Sequence, residues 1–178
     1  MPKKKQKYLV LFDGSNFYHS LKKLGIKHTL NFDYSAFLSW LTSSSTYQAI
    51  YNVGEIKYTP LIPETKKLYA GQLRLFAKLK SHHIQIKKGY MLKTNGKYHE
   101  KGVDVQIALD IALGAHTNAY DICYLISSDT DLLPAIKQAQ ALGKQITYVS
   151  FAGSVSRAMS NNCTTKIIKK SELLSFVK

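Results

Sequence analysis

The sequence predicts an α/β fold with a mostly parallel central sheet and helices on both faces. Strand-like and helix-like segments alternate along the 178 residues. Two of the strand segments, at residues 8–12 and 122–126, are unbroken apolar runs, which are typical of strands buried on both faces of a parallel sheet. Each run leads directly or through two serines into an aspartate, so acidic side chains are expected just beyond strand carboxyl ends.

In the first half of the chain, strands and helices follow one another in order. The strand at 8–12 precedes a helix whose apolar residues recur at helical spacing until Gly25 ends it. Asp33 is expected to cap a second, short helix. The remaining elements of this half are a strand, a long helix, an alternating strand and a hairpin-type turn, at residues 50–59, 64–82, 84–92 and 94–96.

The second half continues the alternation. Gly102 opens a helix that is expected to end at Gly114. Asp104 shares a face of that helix with Ala108 and Ile111, so its side chain is expected to point toward the sheet. The later elements alternate between strand and helix, at residues 122–126, 132–142, 145–151, 166–168 and from 171 onward.

Composition bounds the domain organisation and the kind of partner. Residues 1–7 are interpreted as a basic tail and residues 8–178 as one domain, since 45% hydrophobic content supports a sizeable core. The apolar segments are too short for a membrane span or a secretory signal, which predicts a soluble, cytoplasmic protein without a membrane partner. With 25 basic and 11 acidic side chains the net charge is +14, which favours a polyanion such as nucleic acid over a solvated basic surface or anionic lipid.

Four of the eleven acids fall in three short motifs, at strand ends or at a helix start. The motifs read DGSN, KGVD and DTD, and their acids are Asp13, Asp104, Asp129 and Asp131. Taken singly, each has an ordinary explanation as a helix cap or as a favourable charge at a helix amino terminus. Because all three motifs are expected at one edge of one sheet, we predict a shared site, where Mg²⁺ or Mn²⁺ would relieve the repulsion between carboxylates.

Other polar residues near these motifs are candidates for supporting roles. Lys101 and Ser127 flank the acidic motifs, and Arg157 follows the strand at 145–151, so all three are candidate phosphate contacts. A surface lysine and a turn serine are the plain alternatives. Asp110 lies about 120° around the helix from Asp104, which favours a structural role. The histidines and cysteines lack metal-ligand spacing, and the chain lacks the glycine fingerprint of dinucleotide binding.

At these residues the chain resembles the NYN domain family, the LabA-like branch of the PIN-like nucleases. The matching segments are LVLFDGSNFYHSL, EKGVDVQIALDIAL and YLISSDTDLLPAIKQAQALGKQITYV, which span most of the chain from residue 8 to about residue 168. The resemblance implies a Rossmann-like PIN fold in which the four aspartates bind Mg²⁺ or Mn²⁺, and it implies that Asn16 positions the site or the scissile phosphate. Ser128 and Leu132 stand where the family motif has glycine and phenylalanine, and neither change removes a carboxylate.

The main functional hypothesis is a Mg²⁺- or Mn²⁺-dependent ribonuclease that cleaves single-stranded or structured RNA endonucleolytically. The alternative is a nucleic-acid-binding regulatory protein with little or no turnover, against which the intact carboxylates argue. A phosphotransfer or phosphatase domain with a covalent aspartate is disfavoured, because Asp13 lacks a companion acid two residues later. PIN-like domains often pair, so a homodimer is a further expectation.

Overall fold

The computed structural model describes residues 5–26, 29–58, 60, 63–94 and 97–177. Among these residues, the strands are β1 (Tyr8–Asp13), β2 (Gln48–Glu55), β3 (Gln85–Thr94), β4 (Lys97–Lys101), β5 (Ile122–Ile126), β6 (Gln145–Phe151) and β7 (Thr164–Ile168). The helices are α1 (Gly14–Lys23), α2 (Tyr34–Thr42), α3 (Pro63–Ser81), α4 (Val103–His116), α5 (Leu133–Ala141), α6 (Arg157–Asn162) and α7 (Lys170–Leu174). Short 3₁₀ helices cover Thr29–Asn31 and Thr130–Leu132.

The strands form one sheet in the order β4-β3-β2-β1-β5-β6-β7. Neighbouring strands pair in parallel except β3 and β4, which form an antiparallel hairpin. The chain builds outward from β1 in one direction through β4 and then resumes on the other side with β5. In open α/β sheets, ligands bind beyond the carboxyl ends of strands at such a reversal, which here lies between β1 and β5.

Helices cover both faces of this sheet, as predicted, and each face has its own hydrophobic core. Because side chains alternate along a strand, Val10 and Phe12 of β1 enter one core while Leu9 and Leu11 enter the other. The first core includes buried side chains of α1, α2, α3 and α7, and the second includes those of α4, α5 and α6. The predicted α/β fold with a mostly parallel sheet is therefore confirmed.

The prediction that Gly114 ends a helix is wrong, because α4 continues to His116. A Cβ atom on Gly114 would lie 2.9 Å from Cε1 of Tyr120. The Tyr120 hydroxyl donates a hydrogen bond to the carbonyl of Ile111 at 2.8 Å, so its ring folds back over the helix. Glycine at this position therefore permits close packing of an aromatic ring.

Other differences from the predicted elements have local causes. The strand predicted to reach residue 59 ends at Glu55, since the N–H of Ile56 bonds to the side chain of Gln72 at 2.8 Å. The strand β4 and the short helix α6 were not predicted. Thr94 pairs with Lys97 at the end of the β3–β4 hairpin, while residues 95 and 96 of the predicted turn lie outside the described residues.

The end of the predicted basic tail is attached to the domain. The backbone N–H of Lys7 donates to the carboxylate of Asp121 at 2.8 Å, and its ammonium donates to the carbonyl of Asn118 at 2.8 Å. Residues 1–4 lie outside the described residues. None of the helices in the described part of the chain has the length and apolar character needed to cross a membrane.

Candidate functional site

Asp13, at the carboxyl end of β1, is buried and held in place by hydrogen bonds. Only 4% of its surface is exposed. Its Oδ1 accepts from the backbone N–H of Asn16 at 3.0 Å, which caps α1, and its Oδ2 accepts from Asn16 Nδ2 at 3.2 Å and Ser127 Oγ at 2.9 Å. Asn16 in turn accepts a hydrogen bond from Ser128 Oγ at 2.9 Å. Asp13 is thus both a helix cap and a fixed carboxylate that joins β1 to the segment after β5.

The segment after β5 brings Asp129 next to Asp13. Ser127 is 2% exposed, and its Oγ accepts from the backbone N–H of Asp129 at 3.2 Å while it donates to Asp13. The prediction that Ser127 contacts phosphate does not fit this geometry, because its hydroxyl is buried and engaged. Asp129 is half-buried and accepts from the backbone N–H of Asp131 at 2.9 Å, so it also caps the 3₁₀ helix.

Asp104, in the first turn of α4, reaches the same place from the opposite side. The buried face of α4 carries residues spaced four apart: Val103, Ile107, Ile111 and Ala115. Asp104 lies one position beyond this stripe and is exposed, so the prediction that it faces the sheet is wrong. One residue corresponds to about 100° around a helix, which turns Asp104 from the core toward the strand ends.

These acids line one cleft of about 380 Å³ at the carboxyl edge of the sheet. Among the described residues, the carboxylates that line it belong to Asp13, Glu100, Asp104 and Asp129. Partial burial raises the pKa of Asp104, and the nearby charges of Asp129, Asp13, Glu100 and Asp131 raise it further. The cleft therefore concentrates negative charge around Asp104.

Glu100 is the cleft acid that was missed from sequence. Its Oε2 accepts from the backbone N–H of Gly54 at 2.5 Å, and both of its oxygens lie within 3.2 Å of Ser15 Oγ. It lies on β4, and because that strand was not predicted, the direction of its side chains was unknown. Because Glu100 directly precedes the KGVD motif, its position in the sequence could have identified it as a candidate cleft residue.

One face of α1 also lines the cleft. Asn16 and the residues three, four and seven positions after it line the cleft, and this is the spacing of one helix face: Asn16, His19, Ser20 and Lys23. The helical spacing from Asn16 would have identified His19 and Lys23 from the sequence. Lys23 brings a cation to an otherwise acidic space, and Ser154, from the loop after β6, lines the far side.

The remaining predicted residues lie outside this cleft. Lys101 and Arg157 are exposed, and neither is among the described residues that line it. Asp131 is exposed on the 3₁₀ helix, where its charge acts on Asp104 from the margin. Asp110 forms an ion pair with Lys87 and so ties α4 to β3, which agrees with the predicted structural role.

The donor atoms of the cleft suit a hard divalent cation. Carboxylate oxygens are the ligands that Mg²⁺ and Mn²⁺ prefer. Partial burial and the neighbouring carboxylates together raise the pKa of Asp104, and a bound cation would favour its charged form. Within the described ranges, however, no three His, Cys, Asp or Glu side chains already form a group that could hold a metal ion. The chemistry of the residues fits such an ion, and the exposed acids would have to move toward it.

Comparison with known proteins identifies the family and the fold. A family model described as "NYN domain" matches residues 7–172 of the chain. No curated protein sequence matches it. The chain is similar to a crystal structure of a protein of unknown function from Vibrio parahaemolyticus RIMD 2210633, with 18% sequence identity, a TM-score of 0.67 and coverage of 95% of each chain. At this identity the similarity shows the fold alone.

Proposed function

Because the chain belongs to the NYN domain family, within the PIN-like nuclease superfamily, we propose that it is a divalent-metal-dependent ribonuclease. The superfamily generally uses divalent metals. One observation carries the proposal: carboxylates from four separate segments converge on one cleft in a chain of net charge +14. Such a combination of an acidic centre and a basic surround suits hydrolysis of a polyanion. We further propose that cleavage is endonucleolytic.

We assign Mg²⁺ or Mn²⁺ binding to Asp13, Asp104 and Asp129, with Glu100 in the same cleft and Asp131 at its margin. The bound ion would supply a Lewis acid that activates water and stabilises negative charge on the phosphodiester. Asp13 would provide the fixed point, since its buried oxygens are already oriented by hydrogen bonds. Asp104 and Asp131 are exposed, so their side chains are free to adjust when charge is neutralised.

Asn16 and Ser127 have positioning roles in this proposal. Each donates a hydrogen bond to the same oxygen of Asp13, from Nδ2 and Oγ respectively. Asn16 also accepts from Ser128, which links the end of β1 to the segment after β5. Removal of either donor would take away one of the hydrogen bonds that orient the Asp13 carboxylate.

The α1 face and the loop after β6 supply the groups that would hold the nucleic acid. Lys23 offers a positive charge for a phosphate, and His19 and Ser154 offer hydrogen-bonding groups on either side. RNA is the proposed substrate, and DNA is the comparison that tests it. A homodimer and a cytoplasmic location stay predictions from the sequence.

The alternative function is nucleic-acid binding with little or no turnover. It is favoured by one observation, which is that the described acidic side chains do not yet form a ready ligand group for a metal. A dormant site of this kind would retain the basic surface and salt-sensitive binding but would lack cleavage.

The test is cleavage of labelled single-stranded RNA and matched DNA with Mn²⁺, Mg²⁺ or EDTA, for the unchanged chain and for Asp129→Asn. Asparagine still accepts the capping hydrogen bond, so the change removes charge while it preserves the local turn. Asp121→Asn is the matched control, because Asp121 immediately precedes β5 and so lies at the opposite end of that strand. We expect metal-dependent RNA cleavage that is lost in Asp129→Asn and retained in Asp121→Asn.

Thermal unfolding with and without Mn²⁺ gives a second measurement that is independent of turnover. A ligand at one hundred times its dissociation constant stabilises the folded state by about 2.7 kcal/mol. We expect Mn²⁺ to raise the unfolding temperature of the unchanged chain and of Asp121→Asn, but not of Asp129→Asn. Salt-sensitive RNA binding without cleavage or Mn²⁺ stabilisation would instead support the alternative.

A further inference from the structure

A second cavity of about 380 Å³ adjoins the acidic cleft. Ser15 and His19 line both spaces, so the two meet along the first turns of α1. We call it the α1–α3 pocket, because residues of those two helices form most of its walls. Its walls and floor include Phe17, Tyr18, Tyr51, Leu68, Gly71 and Leu75. The volume falls within the range of small-molecule pockets, roughly 300–1,000 Å³.

We propose that the α1–α3 pocket binds one base of the RNA whose backbone crosses the acidic cleft. The inference rests on the proposed function and specifies how that site would hold its substrate. A nucleotide consists of a flat ring joined through a sugar to a phosphate, and the two adjoining spaces divide in the same way. One space is lined by acids and a lysine, and the other is lined mainly by rings and aliphatic carbons.

The floor of the pocket suits a flat, apolar-faced ligand. Burial raises the pKa of Tyr34 and of Tyr51, so both remain neutral phenols. The Tyr51 hydroxyl lies 3.4 Å from the carbonyl of Gly14, and the Gln72 amide accepts from the N–H of Ile56 and donates to the carbonyl of Gly54. Because these polar groups bond within the fold, the floor of the pocket is mainly apolar.

The rim of the pocket carries two large apolar side chains that are exposed. Tyr18, on α1, is 48% exposed, and Leu68, on α3, is 58% exposed. Single exposed apolar residues are common on protein surfaces. Here, however, the two line the same pocket from different helices, where an inserted ring would contact both. A bound base would therefore cover apolar surface that is otherwise left in water.

Charge identifies nucleic acid as the occupant. The pocket opens beside Lys23 and the acidic cleft, and α3 carries exposed Lys66 and Lys67 close to Leu68 in sequence. A phosphate chain that runs from the pocket into the cleft would thus reach Lys23, which lines the cleft. An apolar side chain of a protein partner would fill the same space, but it would not require a neighbouring site for phosphate chemistry.

Gly71 allows the pocket to be filled without disturbing the helix. A Cβ atom built at Gly71 meets no other atom of the described residues within 4 Å, and Gly71 lines the pocket. A larger side chain therefore enters open space. Glycine is also unfavourable inside a helix, so its replacement by phenylalanine does not weaken α3. Leu73→Phe is the matched control, because Leu73 is 48% exposed on the same helix and does not line the pocket.

The test measures binding of a short labelled single-stranded RNA in EDTA, where metal-dependent cleavage is absent. Fluorescence anisotropy is recorded for the intact RNA and for a series in which each base in turn is removed to leave an abasic sugar. For the unchanged chain and for Leu73→Phe, we expect one position at which loss of the base weakens binding by roughly five- to 150-fold. In Gly71→Phe the intact RNA is expected to bind more weakly by a similar factor, and the abasic position is expected to make no further difference.

Tyr18→Ala provides a second variant whose side chain is exposed, should Gly71→Phe unfold in a thermal melt. It is expected to reduce the same base dependence. If the base dependence persists in Gly71→Phe or in Tyr18→Ala, the proposal is overturned. If RNA binds but an abasic sugar weakens binding at no position, the pocket has another occupant, such as an apolar side chain of a protein. The proposal is then overturned, while the proposed function stands. If no RNA binds at all, the proposed function and this proposal fail together.

Discussion

Gly14→Ala tests the packing that places Asp13 and the start of α1. A Cβ atom at Gly14 would lie 2.6 Å from Cε1 of Tyr51 and 2.8 Å from the carbonyl oxygen of Asn52, whereas ordinary contacts begin at 3.4 Å. The Tyr51 ring is buried and stacks on Phe12 with centroids 5.5 Å apart, so displacing it would disrupt this contact. The Asn52 carbonyl belongs to the backbone of β2. The backbone obstacle cannot give way, so α1 itself has to move.

The expected cost follows from these contacts. Overpacking of a close-packed interior typically costs about 1–3 kcal/mol. Alanine is a better helix former than glycine by up to about 1 kcal/mol in a helix interior, and by less at the first helical position that Gly14 occupies. We therefore expect a net loss of about 1–2 kcal/mol in the free energy of unfolding. For a chain of this size this corresponds to a fall of about 2–8 °C in the unfolding temperature.

The assay is urea unfolding followed by circular dichroism, with Gly71→Ala as the control. Its Cβ atom meets nothing within 4 Å in the part of the chain that the structure describes, and it lies inside α3, so this variant is expected to gain about 1 kcal/mol. The two glycine replacements should thus shift stability in opposite directions. RNA cleavage by Gly14→Ala is expected to fall about 100-fold, because the displaced helix carries Asn16, which orients Asp13. A Gly14→Ala variant as stable as the unchanged chain would refute the packing argument.

Three further predictions concern the cleft. Burial and nearby carboxylates raise the folded-state pKa of Asp104, so the contribution of Asp104 to the free energy of unfolding falls as pH rises above the ordinary pKa of 3.8. Asp104→Asn is therefore expected to be more stable than the unchanged chain toward neutral pH in EDTA. Urea titrations that show no such gain would contradict this prediction. Ser127→Ala removes a buried hydrogen bond to the Asp13 carboxylate and is expected to cost about 1.5–3 kcal/mol in urea unfolding; a loss of under about 0.5 kcal/mol, as for ordinary surface changes, would show that this bond is unimportant. Lys23→Ala is expected to reduce the slope of log binding constant against log salt for RNA by about one, while Lys137→Ala, exposed on α5, should leave it unchanged.

The central strands were predictable because strands that are buried on both faces appear in the sequence as unbroken apolar runs. The strand at 122–126 was predicted with the ends that β5 has, since a strand covered on both faces needs an unbroken apolar run. Asp13 and Asp129 follow such runs, so their approach to each other at one sheet edge follows from strand order alone. The proximity of these two acids therefore depended on few assumptions.

Glu100 and the orientation of Asp104 depended on features that local patterns do not specify. Glu100 reaches the cleft only because β4 pairs with β3 in a particular antiparallel register, opposite Met91. Asp104 was assigned to the buried face of α4 from Ala108 and Ile111, but the stripe that packs on the sheet begins at Val103. In a helix with apolar residues on most sides, tertiary packing selects the buried face, and an error of one residue changes which groups meet solvent.

The unequal burial of the acids has a consequence for how the site can be tested. Asp13 is buried, caps α1 and accepts hydrogen bonds from two segments, so its replacement would affect folding and any chemistry together. The Asp104 side chain is more exposed than that of Asp13, but partial burial and the neighbouring carboxylates raise its pKa, so its charge is disfavoured in the folded chain. Asp104→Asn should therefore lose activity while it gains metal-free stability. A loss of activity together with a gain in stability is expected only if the charge at Asp104 is retained for function. If the charge were kept for stability, its removal would lower both the activity and the free energy of unfolding.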